Sequence, residues 1–407
     1  MFEAYLTAAI WLSLALLATI LASRLKISMA LMEIMVGAFA GYLVVHYFGE
    51  SALFPNADWL RFVAGSGAIL LTFLAGSELD PQSLRAKLKE STVIGFSAPF
   101  LGCTAIARYL LHWDWRASLL AGIALSTTSI AVVYSVMPEF GFNKTEFGKG
   151  VLGSCFVNDL GTVIGLGLIF APFTYRTAVF VIVSIMVFIF LPGMTELIIK
   201  KYAYKTAAVR TKWILFWLFS PGALALWSGS EAVLPAYIIG MVLAGTISRD
   251  HFFIRRIRTL TIGFLTPFYF LRAGFLMSIP AILSGPLIFL ILFGGKVVSK
   301  IFGLYPAIKS FRKNHVKETW YYTLMMSTGL TFGAISAFYG LTHNIISRDQ
   351  YPFLVAALMA SAVIPTLIAN RFFLPEYLLP APVSEEEEIP EADEQWQQTP
   401  AGTEHPA

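Results

Sequence analysis

The sequence predicts an all-α polytopic membrane protein with thirteen transmembrane helices. Three observations lead to this fold class. Hydrophobic residues make up 57% of the 407 residues and charged residues only 13%, and the mean hydropathy is +0.70, which exceeds what a soluble core can bury. Apolar runs long enough to cross a bilayer recur along the chain. Lysine and arginine concentrate in alternate loops between these runs, as they do on the cytoplasmic side of membrane proteins.

The thirteen spans are predicted from apolar runs that charges, glycine, proline or asparagine bound. The N-terminal stretch lacks the basic region of a signal peptide and continues into a full span, so it is predicted to be the first helix rather than a cleaved leader. The predicted centres lie near Leu14, Phe39, Leu70, Leu101, Thr128, Asp159, Val187, Phe219, Gly240, Tyr269, Leu292, Leu330 and Ala362.

The distribution of basic residues predicts the orientation. Most of the 29 lysine and arginine residues fall in the loops that are cytoplasmic if the N-terminus is outside and the C-terminus is inside. The net charge of +4 therefore has a topological explanation, and a nucleic-acid partner is not expected. A plasma or inner membrane is the expected location. We predict a membrane domain over residues 1–383 and a disordered acidic cytoplasmic tail over residues 384–407.

Asp159 is the first candidate functional residue, because it lies near the middle of an apolar span. A carboxylate in hydrocarbon is unfavourable by at least about 2.5 kcal/mol unless it faces protein, water or a cation. Small and polar residues recur beside it at helical spacing, on a face that another helix can approach closely. This face comprises Gly150, Ser154, Asn158, Gly161 and Gly165, with Cys155, Asp159 and Thr162 on its flank. The alternative is a protonated structural aspartate.

Two spans carry polar runs at their centres, where a helix can break. The first run is Ser126–Ser129, for which an intact helix with hydroxyls bonded to its own backbone is an equally good interpretation. The second, seven spans later, contains Ser327, Thr328, Gly329, Thr331 and Gly333. Corresponding interruptions in two halves are typical of transporters built from inverted repeats. Spans one to six and eight to thirteen are therefore predicted to be two inverted six-helix repeats with crossed discontinuous helices.

Four further charges fall within spans. The negative ends of broken helices attract a cation, for which Lys300 is the first candidate and Lys296, one turn earlier, is the alternative. Either lysine could instead extend toward the cytoplasmic edge of the membrane. Glu33 and Arg272 are predicted to be structural ion-pair partners rather than ligands. The only two cysteines, Cys103 and Cys155, lie within apolar spans, so no disulfide framework, zinc site or other cofactor is expected.

Seven blocks in order resemble the monovalent cation:proton antiporter superfamily, of the Kef and sodium/proton antiporter type, cation:proton antiporter family 2. The blocks are LMEIMVGAFAG, LTFLAGSELD, ALSTTSIAVVYSV, FVNDLGTVIGL, AYIIGMVLAG, PFYFLRAG and KIFG, and the resemblance covers residues 27–373. It implies the sodium/proton antiporter fold, a homodimer, and a dimer domain beside a mobile core domain that includes about residues 62–171 and 260–373.

The resemblance also implies roles for single residues. Asp159 matches the ion-binding aspartate, and Asn158 stands where electrogenic members carry a second aspartate and potassium efflux members a glutamine. Thr128 and Ser129 match ligands in the unwound segment, and Lys300 matches the core lysine. Two features depart from the pattern. The lysine, which usually partners the second aspartate, is here combined with Asn158. Because no Gly-rich nucleotide-binding fingerprint follows the last span, the regulatory C-terminal domain of the glutathione-gated members is not expected.

Together these features predict a secondary active antiporter that exchanges protons for Na⁺ or K⁺ across a lipid bilayer. Asp159 would bind the proton or the cation, with Asn158, Thr128, Ser129 and Ser154 as oxygen ligands. One ionisable carboxylate predicts electroneutral one-to-one exchange, and the resemblance implies elevator-type alternating access. The alternative from another class is a cation channel or ion-gated sensor on the same fold. An enzyme is not expected, because HExxH, GxSxG and paired intramembrane aspartates are missing. A bile-acid-type anion carrier would not need the aspartate.

Overall fold

A computed structural model describes residues 2–25, 28–48, 53, 55–77, 81–170, 174–202, 209–230, 232–247, 251–277, 279–311 and 315–378. The side chains of residues 81–94 are outside this description. The acidic stretch 384–407 also lies outside the described residues, so its predicted disorder stays a prediction.

The described residues are helical throughout, with turns between the helices and no strand among them. The helices are α1 (Phe2–Leu25), α2 (Met29–Phe48), α3 (Asp58–Ser77), α4 (Pro81–Tyr109), α5 (Trp115–Ser126), α6 (Ile130–Val136), α7 (Glu146–Ile169), α8 (Tyr175–Tyr202), α9 (Val209–Trp227), α10 (Val233–Ile247), α11 (His251–Leu260), α12 (Thr266–Phe275), α13 (Ile279–Ser284), α14 (Pro286–Phe311), α15 (Val316–Met325), α16 (Thr331–Thr342) and α17 (Gln350–Phe372). Short 3₁₀ turns (Met137–Phe140, Phe142–Lys144, Glu376–Leu378) and one π-helical turn (Thr261–Leu265) join or extend them.

Each predicted span centre falls either in a helix or in the gap between two half-helices. Among the described residues, eight helical stretches are long and apolar enough to cross a membrane, including the interrupted stretch Trp115–Phe140. Some of the other centres lie in shorter helices such as α10, and Leu330 lies in the gap between the half-helices α15 and α16. An all-helical, multi-pass membrane protein is therefore confirmed, while the count of thirteen spans stays a prediction.

The helices pack in two groups. In the first group, α3 packs most extensively on α10, and α2 on α12, with α12 also against α3. In the second group, α4 packs on α5, α7 and α14, and α17 packs on α14, α15 and α16. Contacts between the groups are fewer and pass mainly from α3 and α2 to α6. The predicted core domain, about residues 62–171 and 260–373, begins inside α3 and before α12, and its bounds stay a prediction.

Glycines explain why α3 and α12 stay with the first group. Gly76 on α3 and Gly240 on α10 lie so close that an added Cβ on either would collide with the backbone of the other helix. Gly37 on α2 and Gly274 on α12 make the same kind of approach to each other's helix. Close backbone contact through small residues is the usual way in which membrane helices associate. Helix α3 is therefore packed tightly onto α10, and α12 onto α2.

We expect Gly240→Leu to destabilise the fold by about 1–3 kcal/mol or more, because overpacking a close helix contact forces backbone shifts. A Cβ at this position would meet the Phe73 carbonyl oxygen, the Ser77 amide nitrogen at 2.9 Å and the Gly76 Cα at 3.0 Å. Thermal unfolding of the purified variant in detergent measures the effect. Gly245→Leu on the same helix is the matched control, since nothing lies within 4 Å of a Cβ there. Equal melting temperatures for the two variants would contradict the close packing.

Candidate functional site

The first polar run interrupts a helix, as predicted. Helix α5 ends at Ser126, and Thr127 leaves the helical conformation with φ −61° and ψ 156°. Ser129 is also extended, and its hydroxyl accepts a hydrogen bond from the Val132 amide at the start of α6. The residues between the two half-helices are fully buried. The alternative of an intact helix is therefore wrong for this stretch.

The second polar run interrupts a helix in the same way. Helix α15 ends at Met325, and α16 begins at Thr331. Between them, the hydroxyl of Ser327 donates to the Thr323 carbonyl at 2.8 Å, and that of Thr328 donates to the Met325 carbonyl at 2.9 Å. These side chains satisfy carbonyl groups at the end of α15 that an intact helix would bond internally.

The two interruptions contact each other. The Thr128 hydroxyl donates to the Met326 carbonyl oxygen at 3.1 Å, and the Ser129 amide donates to the Thr328 hydroxyl at 3.4 Å. Four half-helix ends therefore meet at one place inside the protein. Non-helical backbone at membrane depth is tolerated where it is buried in protein in this way.

Asp159 lies on α7 next to this meeting point. Its side chain is 2% exposed, and its carboxylate interacts with the backbone amides of Thr128 and Ile130 at the start of α6. Its Oδ1 atom has no hydrogen-bond partner among the described residues. A buried carboxylate with an open acceptor position is unfavourable as an anion, so a proton or a cation can complete it.

Asn158 lies beside Asp159 and is 1% exposed. Its Nδ2 donates to the Thr128 hydroxyl at 3.3 Å, while its Oδ1 has no hydrogen-bond partner among the described residues. Adjacent residues thus each present one open oxygen acceptor. Oxygen ligands of this kind suit hard cations such as the alkali ions.

The two buried lysines of α14 take different positions. Lys300 donates from Nζ to the Gly95 carbonyl at 3.1 Å and to the Thr128 hydroxyl at 3.3 Å. Lys296 donates to the carbonyls of Leu125 at 2.9 Å and Thr127 at 2.8 Å, at the C-terminal end of α5. The alternative prediction, Lys296, therefore holds the negative helix end, and the first choice, Lys300, does not. Both lysines are fully buried, so extension to the membrane edge is wrong for both.

The arrangement around Asp159 invites comparison with known proteins. Residues 12–373 match the family described as "Sodium/hydrogen exchanger, transmembrane". The chain belongs to this exchanger family. It is thereby a member of the monovalent cation:proton antiporter superfamily that the sequence blocks resemble, and this prediction is confirmed.

Named relatives agree with the family assignment. The chain is 23% identical over 334 residues to the Probable Na(+)/H(+) antiporter 3 of Methanocaldococcus jannaschii, covering 78% of this chain and 84% of that protein. It is also 23% identical over 336 residues to the glutathione-regulated potassium-efflux system protein KefC of Enterobacter sp. (strain 638). That match covers 78% of this chain and 53% of KefC, so the chain spans about half the length of that relative.

A solved structure shares the fold of this chain. The sodium proton antiporter MjNhaP1 from Methanocaldococcus jannaschii superposes with a TM-score of 0.65, over 90% of this chain and 97% of that one, at 15% sequence identity. The relatives are named as transporters and not as enzymes, which confirms the prediction that this chain is not an enzyme.

Ser154 lies one turn before Asn158 on α7, but its hydroxyl already has a partner. Its Oγ is 2.5 Å from the Tyr322 hydroxyl, and Tyr322 also donates to the Gly150 carbonyl at 3.0 Å. These bonds link α7 to the half-helix α15. A role of Ser154 as an ion ligand stays a prediction.

Sequence reasoning missed residues that complete the site. Tyr237 on α10 is 1% exposed, stacks on Phe156 with ring centroids 4.4 Å apart, and donates to the Leu152 carbonyl at 3.4 Å. Gly95 on α4 supplies the carbonyl that holds Lys300. The sequence does not distinguish either residue, because tyrosine and glycine are common in the packed interfaces of membrane helices.

Glu33 and Arg272 are each predicted to be a structural ion-pair partner, but neither forms an ion pair within the described part of the chain. Arg272 donates from Nε to the Pro55 carbonyl at 2.7 Å and from Nη2 to the Asn56 side-chain oxygen at 3.3 Å. Glu33 instead lies close enough to Glu139 for the two like charges to interact. Neutral oxygens thus satisfy the arginine, which corrects the prediction for both residues.

Proposed function

We propose that this chain is a secondary active antiporter that exchanges protons for Na⁺ or K⁺. The observation that carries the proposal is Asp159, a buried carboxylate with an open oxygen at the junction of two interrupted helices. Membership in the exchanger family supports it, as do the printed names of the relatives, which are a Na⁺/H⁺ antiporter and a potassium-efflux protein.

Direct competition at Asp159 is the proposed mechanism. The carboxylate binds either a proton or a dehydrated alkali cation, and each neutralises a charge that is costly away from water. The open oxygen of Asn158 and the oxygens of Thr128, Ser129 and Ser154 are the proposed further ligands. Thr128 is central to this arrangement. Its hydroxyl accepts hydrogen bonds from Asn158 and Lys300 and donates one to the Met326 carbonyl at the end of α15.

The proposed stoichiometry is one proton for one cation. Asn158 is neutral, so Asp159 is the carboxylate of the adjacent pair that can exchange ligands. Lys296 is hydrogen-bonded to the end of α5, and Lys300 to Gly95 and Thr128. We assign both lysines to charge compensation of the core, with Lys296 at the helix end. On this basis no net charge crosses the membrane in a cycle.

Alternating access is proposed to be an elevator motion of one helix group against the other. The sparse contacts between the groups support this division. The mobile core would comprise α4–α7 and α14–α17, so the tightly packed α3 and α12 move to the dimer domain. Thirteen spans in two inverted repeats, a homodimer, an external N-terminus and a cytoplasmic C-terminus remain part of the proposal.

An exchange assay with purified protein in liposomes tests the function. With a pH-sensitive dye inside, we expect external Na⁺ or K⁺ to drive proton movement, and we compare Li⁺, Na⁺, K⁺ and Rb⁺ in turn. The rate should not change when the membrane potential is clamped at different values. Cation flux that ignores the opposing proton gradient would contradict antiport and support the channel alternative.

A further inference from the structure

A cavity with two acidic residues in its lining lies away from Asp159, between the two helix groups. It has a volume of about 230 Å³ and is lined from one side by α2, α3 and the Ile262–Phe270 region. The other wall comes from α6 and the 3₁₀ turn Met137–Phe140 that follows it. This cavity lies at the end of α6 opposite to Ser129. Since α6 has seven residues, it is separated from the site at Ser129 by about 10 Å of helix.

Glu33 is the buried acid of this cavity. It is 5% exposed, it lines the cavity, and among the described residues no hydrogen-bond donor reaches its carboxylate. A buried acid without a donor is expensive, so a ligand that neutralises it is strongly favoured.

Glu139 is the second acid, and it stands at the exposed rim of the cavity. Its Oε1 accepts hydrogen bonds from the Ser28 hydroxyl at 3.2 Å and the Met29 amide at 3.0 Å, at the start of α2. The remaining carboxylate oxygen is available to a ligand. Glu33 and Glu139 interact as like charges. A cation between them would reduce their electrostatic repulsion.

The other polar groups of the lining are also acceptors. The hydroxyl of Ser135 donates its proton to the Val132 carbonyl at 2.7 Å, and that of Thr266 donates to the Ile262 carbonyl at 3.4 Å. Because both hydroxyl protons are used in these bonds, only the oxygen lone pairs of Ser135 and Thr266 are available to a ligand. Among the described residues that line the cavity there is no lysine, arginine or histidine. The rest of the lining is apolar, so the two carboxylates and two hydroxyl oxygens are the groups that bind a ligand here. Such oxygens suit a hard cation that keeps part of its water shell.

We propose that Glu33 and Glu139 form a second cation site, which binds a hydrated inorganic cation at the interface between the two helix groups. Its two carboxylates come from different groups, α2 on one side and the segment after α6 on the other. A cation held by both therefore ties the groups together in the arrangement seen here. This site is separate from the proposed exchange at Asp159 and does not depend on it.

Cation binding to purified protein tests this site without any transport measurement. All binding measurements use protein that carries Asp159→Asn, a change that weakens cation binding at the proposed exchange site. Melting temperatures are measured against Na⁺, K⁺, Mg²⁺ and Ca²⁺ at constant ionic strength, with N-methylglucamine chloride as the balancing salt. We expect saturable stabilisation by at least one of these cations, since a ligand of the folded state raises its stability by mass action. The four salts distinguish an alkali ion from a divalent ion as the occupant.

Adding Glu33→Gln should then weaken the apparent affinity at least about tenfold, because the buried charge is lost. Glu139→Gln, an exposed change that keeps an acceptor for Ser28 and Met29, should weaken it as well and covers the case in which Glu33→Gln folds poorly. Glu146→Gln is the matched control, since that acid is exposed and paired with Lys149 at 3.5 Å. Unchanged affinity in both test variants, or no saturable stabilisation in Asp159→Asn, would overturn the site.

Discussion

Replacing Asp159 with asparagine should reduce proton-coupled cation exchange to the rate of protein-free liposomes. Asparagine has nearly the same shape, but it neither takes up a proton nor neutralises a cation, so both halves of the cycle lose their ligand. The fold should survive, because the change removes a buried charge whose Oδ1 has no partner among the described residues. The measurement is dye-monitored exchange in liposomes, with melting temperature as a check on folding.

The matched control for this prediction is Asp58→Asn. Asp58 is a fully exposed aspartate at the start of α3, where it pairs loosely with Arg61 at 3.9 Å. Its replacement should leave exchange unchanged, because exposed ion pairs contribute little. Proton-coupled cation movement that persists in Asp159→Asn would mean that another group carries the ion, and the proposed mechanism would be wrong.

The second large effect is expected from Asn158→Asp, which should make exchange depend on the membrane potential. The new carboxylate would lie beside Thr128, whose hydroxyl accepts from both Asn158 and Lys300. Lys300 thereby gains an acidic partner, and two carboxylates can together exchange more than one proton for one cation. Moving one net charge is worth about 2.3 kcal/mol per 100 mV, which is roughly fifty-fold in the cation gradient that balances the proton gradient.

The measurement is exchange with the potential clamped at several values, for the wild type and Asn158→Asp in parallel. Asn158→Gln is the control, since it enlarges the side chain without adding a charge and should stay insensitive to potential. If Asn158→Asp exchanges ions but ignores the potential, then the neutral residue at position 158 does not set the stoichiometry.

Some features of this protein could be predicted because they depend on residues that are close together in the sequence. Consecutive hydroxyl residues marked both helix interruptions, because serine and threonine can satisfy the backbone groups that a broken helix frees. Asp159 was identified because an acid within an apolar span is energetically unfavourable unless it has a partner or a function. The small face of α7 was likewise readable, and the structure packs its Gly161 against Phe96 of α4.

The hydrogen-bond partners of the buried charged side chains could not be predicted from local sequence patterns. Lys296 and Lys300 are one turn apart on the same helix, and only the position of α5 against α14 decides which of them reaches the carbonyls of Leu125 and Thr127. Arg272 was expected to find an acid, yet the chain before α3 brings a carbonyl to it instead.

The sequence by itself thus determined a polytopic helical membrane protein and identified Asp159 and two polar runs within spans, because hydropathy and the unfavourable energy of a buried charge are local properties. It left open whether the first run breaks its helix. Only the tertiary structure decided which lysine holds the end of α5, which helices pack as a group, and that Glu33 meets Glu139. These facts depend on how helices far apart in the chain approach one another, and contacts at that range leave no periodic trace in the sequence.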